Sequence, residues 1–140
     1  MRSVLGLPVV LVAAALIVLS PSAAANRHDQ TPPTFAGLVS ATTCVPGPIG
    51  GRATSYTLRW EAATDNLTPS SRIVYDVYQS AVARGEDFSA PTYTTPAGAT
   101  SFATPGLPAD RAVYFVVRAR DKAGNRDLNT VERQGQNLCV

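Results

Sequence analysis

Histidine, lysine, methionine and tryptophan each occur once in the chain, and cysteine only twice. Each scarcity removes a class of chemistry. A single histidine, His28, cannot build a histidine metal cluster. As a general base it would have to be held in register with a nucleophile and a carboxylate, yet its setting, NRHDQTPP, is a polar, proline-stiffened linker. Two cysteines with no Cys or His beside them fall short of the four ligands of a structural zinc site. No glycine-rich phosphate loop is present. An excess of one charge is missing too. The 12 Lys and Arg against 10 Asp and Glu leave a net +2, which gives no electrostatic footprint for nucleic acid. The sequence therefore predicts a non-catalytic chain that requires no cofactor and has no nucleic-acid partner.

Long apolar runs are limited to one. The chain opens MRSVLGLPVVLVAAALIVLSPSAAAN, in which one Arg precedes an uncharged run from Val4 to Leu19 and small residues follow. That order predicts a secretory signal peptide over 1–25 with cleavage at Ala23-x-Ala25. The rival reading, a membrane anchor, needs roughly 20 apolar residues, and Gly6 and Pro8 interrupt a run that is already shorter. The expected product, 26–140, is one soluble domain secreted to the medium or the cell envelope, with no membrane span after cleavage. In an exported protein Cys44 and Cys139 are expected to pair, two free thiols being the alternative.

What is present is strand pattern. Ser55 to Glu61 (SYTLRWE) alternates, with Tyr56, Leu58 and Trp60 on one face. Ile73 to Ser80 (IVYDVYQS) places Ile73, Tyr75 and Val77 inward and Val74, Asp76 and Tyr78 outward. Val113 to Arg120 is the clearest, with Val113, Phe115, Val117 and Ala119 inward. Thr34–Thr42, Pro91–Thr95, Thr100–Thr104 and Asn129–Arg133 are further candidate strands. VPGPIGG, AATDNLTPSS and ARGEDFSAP read as loops. Short alternating strands with frequent turn signals predict an all-β sandwich or barrel.

These segments, in this order, resemble a fibronectin type III domain over about residues 29–135. The Trp of LRW, the Tyr-x-Val of YDVY and the stretch GLPADRAVYFVVRARD carry the resemblance. The ends DQTPP and RARDKAGN are similar to bacterial members of that family. The resemblance implies an immunoglobulin-like sandwich of about seven antiparallel strands over 34–140, after an N-terminal linker at 26–33. One departure stands out: the family's corner tyrosine position is occupied by Val113, and Tyr114 would face outward. The resemblance also implies that Cys44 and Cys139 arrive at the same pole. At the opposite pole it gathers Asp29 from the linker, Asp65 and Asn66 from one loop, and Asp121, Asn125 and Asp127 from another.

Two candidate sites follow. Six oxygen-bearing side chains from three segments suit a hard cation such as Ca²⁺. Asp and Asn are equally at home in turns, and Arg120, Lys122 and Arg126 stand ready to neutralise the carboxylates. The second candidate is the outer face of the third and sixth strands, where Val74, Tyr78, Tyr114, Val116, Arg118 and Arg120 would form an exposed stripe for a protein or polysaccharide partner. An ordinary mixed face with an Asp76–Arg118 cross-strand pair is the alternative. Glu86 and Asp87 are adjacent in a loop rather than facing across a cleft, which argues against a glycosidase pair. The Arg84-Gly85-Glu86 tripeptide and the sequon Asn66-Leu67-Thr68 are read as loop. Domains of the family are usually non-catalytic. The expectation is a secreted binding or adhesion module, or else a structural spacer or accessory module of the kind found beside polysaccharide-degrading enzymes.

Overall fold

A computed structural model describes residues 28–47 and 52–139. The expected signal peptide and its cleavage site lie outside the described residues. No helix among the described residues is long and apolar enough to cross a membrane.

The chain is all-β. Its strands are β1 (Leu38–Thr43), β2 (Ala53–Thr54), β3 (Thr57–Trp60), β4 (Val74–Ser80), β5 (Tyr93–Thr94), β6 (Ser101–Ala103), β7 (Leu107–Pro108), β8 (Tyr114–Arg120), β9 (Glu132–Gln134) and β10 (Gln136–Asn137). One sheet runs β10-β1-β3-β6 and the other β5-β4-β8-β9, with β2 and β7 as a separate ribbon. The pairings are antiparallel, apart from the parallel contact of β1 with β10.

The alternation read from the sequence sets the core. Successive side chains on a strand point to opposite faces, so Leu58 and Trp60 from one sheet meet Tyr75, Val77, Phe115, Val117 and Ala119 from the other. The rings of Phe35 and Trp60 each pack 5.2 Å from that of Tyr75. The polar tips of these aromatics are satisfied inside. The Trp60 indole donates to the Ala99 carbonyl at 2.9 Å, and the Tyr75 hydroxyl accepts from the Ala63 amide at 2.8 Å. Val113 is buried, whereas Tyr114, expected to face outward, is half-buried.

The last strand differs from the expected one. It splits into β9, which pairs with β8, and β10, which pairs with β1. Gly135 makes the crossing. Its N–H donates to the Val113 carbonyl, and a Cβ there would lie 2.5 Å from Tyr56 Cε1, so only glycine lets the chain pass between the sheets. Because β10 runs parallel to β1, the residues that follow both strands emerge together. Leu138 N–H donates to the Thr43 carbonyl, and the Asn137 amide bonds both ways with Val45. Cys44 and Cys139 are thereby held with Cα atoms 4.8 Å apart and are disulfide-bonded.

Candidate functional site

The pole opposite the disulfide is built from turn chemistry. Asp65 follows β3 and accepts the amides of Leu67 and Thr68 on one oxygen. Burial pushes its carboxyl up, but these donors outweigh that and hold it below its ordinary value. Asp121 follows β8 and is 3% exposed. Asn125 clasps it, with the backbone N–H donating to Oδ1 at 2.8 Å and the side-chain amide to Oδ2 at 2.6 Å. The same side chain donates to the Asp29 carbonyl at 3.0 Å, and Thr34 pairs with Thr64. The linker is therefore docked, and it delivers Asp29 to the cluster. One carboxylate oxygen from each of Asp29, Asp65 and Asp121 lies within 4.8 Å of the others. A cavity of about 430 Å³ beside them is lined by His28, Asp29, Leu67, Thr68, Lys122 and Ala123.

The expected six-residue set reduces to these three. Asp127 points elsewhere: it accepts the Ala119 amide and both nitrogens of Asn129, closing the β8–β9 connection. Asn125 acts as a donor that ties Asp29 to Asp121. Asn66 sits beside Asp65 and, with its amide nitrogen inward, donates to both carboxylate oxygens at 3.3 Å.

The expected ligand face needs correction. Tyr78 and Val116 are each only 1% exposed, and Asp76 is not exposed at all. The cover is the loop between β4 and β5. Phe88 folds back so that its ring meets Tyr78 edge-on at 5.1 Å and lies 3.6 Å from the Arg118 guanidinium carbon. Arg118 is opposite Asp76 in register, but its Nε donates to the Asn129 carbonyl. Asp76 pairs instead with Arg120 and Arg126. Val74 and Tyr114 are half-buried at the ends of the strands, so no continuous exposed stripe remains. A large aromatic in a polar loop, facing a strand whose outward residues include Tyr and Arg, was the signal for this cover.

The same loop makes a pocket that the sequence did not suggest. Arg84, Glu86, Phe88, Val116, Thr130 and Glu132 enclose about 300 Å³. The Glu86 and Glu132 carboxyls line the pocket together, and Glu132 Oε2 accepts the Arg84 amide at 2.5 Å. Glu86 Oε1 is closed off from solvent and has no partner. Burial first, and then the charge of Glu132, push the Glu86 carboxyl above its ordinary 4.5. A raised carboxyl contributes stability that is fully present below that ordinary value and is lost as pH rises through the folded one. Glu86→Gln is therefore expected to stabilise the fold at pH 8, by no more than about 1 kcal/mol after solvent screening, and to leave it unchanged at pH 4. Thermal melts at both pH values check this.

Catalytic candidates stay dispersed. His28 is exposed and lines the cavity beside Asp29.

No protein-family model matches the chain, and no solved structure matches it. Among curated proteins it is similar to Exoglucanase B of Cellulomonas fimi, at 34% identity over 114 residues. That match takes in 77% of this chain and spans 9% of the enzyme's length.

Proposed function

We propose that the chain is a secreted, non-catalytic accessory module of a polysaccharide-degrading system, built as a fibronectin type III-like sandwich. The observation that carries this reading is the likeness between most of this chain and a segment amounting to 9% of an exoglucanase. A disulfide that joins the two ends of the domain supports export. The contact we assign to polysaccharide is the Glu86–Glu132 pocket. Its carboxyls accept hydrogen bonds from hydroxyl groups, and its Phe88 and Val116 walls suit the apolar face of a sugar ring. A structural spacer is the second reading, favoured by the burial of the Tyr78 and Val116 side chains that an exposed binding stripe would use.

Incubation of the secreted chain with insoluble cellulose separates these readings. The expected result is saturable depletion of the protein from solution. Phe88→Ala and Glu132→Ala should each weaken binding about tenfold or more, a loss of roughly 1.4 kcal/mol, with both variants still folded. No depletion on cellulose would leave the spacer reading. Release of reducing ends from a soluble glucan would overturn the non-catalytic part of the proposal.

A further inference from the structure

The loop between β4 and β5, residues 81–92, is fastened lightly for a segment that covers buried side chains. Among the described hydrogen bonds of residues 81–91, those of Val82, Gly85 and Ser89 stay within the loop or reach back only to Ser80. One leaves it, from the Arg84 N–H to Glu132 Oε2 on β9. The other fastening is Phe88, whose ring meets Tyr78 and lies against the Arg118 guanidinium. Among the described residues Arg84 alone, glycines aside, has a positive φ, at 58°. That conformation crowds a side chain against its own backbone, and such strain persists only where the surroundings hold it. Gly85 follows, where a Cβ would lie 2.6 Å from Ser80 Oγ. The closed turn therefore needs glycine, and glycine also gives it a hinge.

Two carboxylates stand at this latch. Glu86 on the loop and Glu132 on β9 line the same pocket as Phe88. The charged groups around them are engaged elsewhere or exposed. Arg118 of β8 holds the Phe88 ring and the Asn129 carbonyl, and Arg133 of β9 holds the carbonyls of Val39 and Glu132. Arg84 and Asp87 of the loop are exposed, with Asp87 turned to the Ser89 amide. Tyr78 of β4 is buried. The described ion pairs include neither glutamate, and Glu86 Oε1 is closed off from solvent without a donor. Ionised, Glu86 meets both lost solvation and the like charge of Glu132. Neutral, it meets neither.

We infer that residues 81–92 form a lid gated by the proton on Glu86. Neutral Glu86 lets the lid close with Phe88 seated against Tyr78 and Arg118. Ionised Glu86 beside Glu132 drives it open about Arg84 and Gly85, which relaxes the Arg84 backbone and returns both carboxylates to water. Burial and the charge of Glu132 raise the Glu86 carboxyl in the closed state, so the closed lid is favoured at acid pH and loses that support as pH rises through the folded value. Opening takes the Phe88 wall away from the pocket, so a ligand held there is released as pH rises. That consequence rests on the polysaccharide reading of the pocket; the lid does not.

NMR of the oxidised, secreted chain from pH 4 to pH 8 tests the lid without any ligand. The Phe88 ring over Arg118 shifts the Nε–H resonance of that arginine upfield. In the wild type this shift is expected to shrink as pH rises, and in Glu86→Gln to stay at its pH 4 size. Phe88→Ala removes it and sets the open reference. Trypsin at pH 8 gives a second reading, because cutting of a transiently opened segment tracks the open population. The Arg84–Gly85 bond should be cut about threefold faster in the wild type than in Glu86→Gln, the size of a partly exposed charge contact. Binding to insoluble cellulose should likewise be about threefold weaker at pH 8 than at pH 4 in the wild type and unchanged by pH in Glu86→Gln. A resonance that does not move with pH, one that moves equally in Glu86→Gln, or equal cutting of the two proteins overturns the lid. A resonance that moves as expected, with no cellulose binding at either pH, supports the lid and overturns the polysaccharide reading instead.

Discussion

Replacing Cys44 and Cys139 together by alanine is expected to lower the unfolding free energy by about 4–5 kcal/mol and the melting temperature by roughly 15–20 °C. The bridge spans a sequence separation of 95, so in the chain-entropy view it removes nearly all end-to-end freedom from the unfolded state. Little else performs that task. The β1–β10 contact is only two residue pairs long, Thr42 with Gln136 and Thr43 with Asn137. The Asn137–Val45 bonds and the Leu138 amide bond extend it by one turn of chain. The loss should therefore be visible locally as well as globally. The Leu138 amide should exchange with solvent quickly in the double variant and slowly in the oxidised protein. Urea unfolding with and without reductant measures the global effect. A difference below about 1 kcal/mol would show that strand pairing alone closes the sandwich.

The disulfide was legible in the sequence because an expected export signal and a pair of cysteines at the two ends of the domain both point to it. The inner faces of β4 and β8 were legible for a different reason. A strand repeats every two residues, so Ile73, Tyr75 and Val77, and then Phe115, Val117 and Ala119, declare one face each. The outer face was not legible by the same rule. Alternation says that Tyr78 and Val116 share a face, but not what covers it. The cover is Phe88, placed by a loop without any period. The β2–β7 ribbon escaped as well, because two-residue strands beside Gly and Pro leave no pattern to read.

The acidic pole divides in the same way. Asp65, in the loop after β3, and Asp121, directly after β8, come together at one pole, and such loops favour Asp because its carboxylate accepts amides of its own turn. The cations were misassigned. In the sequence Arg120 and Arg126 flank Asp121 closely enough to suggest pairing with it. Arg120, however, is an even-numbered residue of β8 and leaves the sheet on the side that carries Asp76. The isolated Arg120–Arg126 bridge then brings Arg126 to the same face. A one-residue difference in strand parity thus decides which carboxylate is neutralised and which cluster is left negative.

That diversion makes Asp76 the most consequential charged residue of the fold. Asp76→Ala is expected to cost about 3–5 kcal/mol at pH 7, the usual penalty for breaking a buried pair by removing one partner. The carboxylate has no exposure. Oδ2 accepts Arg120 Nε at 2.8 Å, and Oδ1 accepts Arg120 Nη2 at 3.1 Å and Thr94 Oγ1 at 2.9 Å. Arg126 Nε stands 2.9 Å from Oδ2 as a charge contact without hydrogen-bond alignment. Burial pushes this carboxyl up, but the hydrogen bonds from Arg120 and Thr94 and the charges of both arginines outweigh it and hold it below its ordinary 3.8. A depressed carboxyl stabilises the fold fully above its ordinary value and loses that contribution as pH falls through the folded one. The wild-type protein should therefore weaken as pH drops below about 4. Asp76→Ala should start weaker and show a flatter acid limb, because the proton uptake that drives the loss is gone. Replacing Asp76, Arg120 and Arg126 together by leucine should recover most of the loss, since apolar residues of similar bulk often substitute for buried pairs at no net cost. Urea melts at pH 7 and pH 3 on the three proteins decide the matter. A single variant within about 1 kcal/mol of wild type, or one as acid-sensitive as wild type, would show that the arginines are held by water rather than by Asp76.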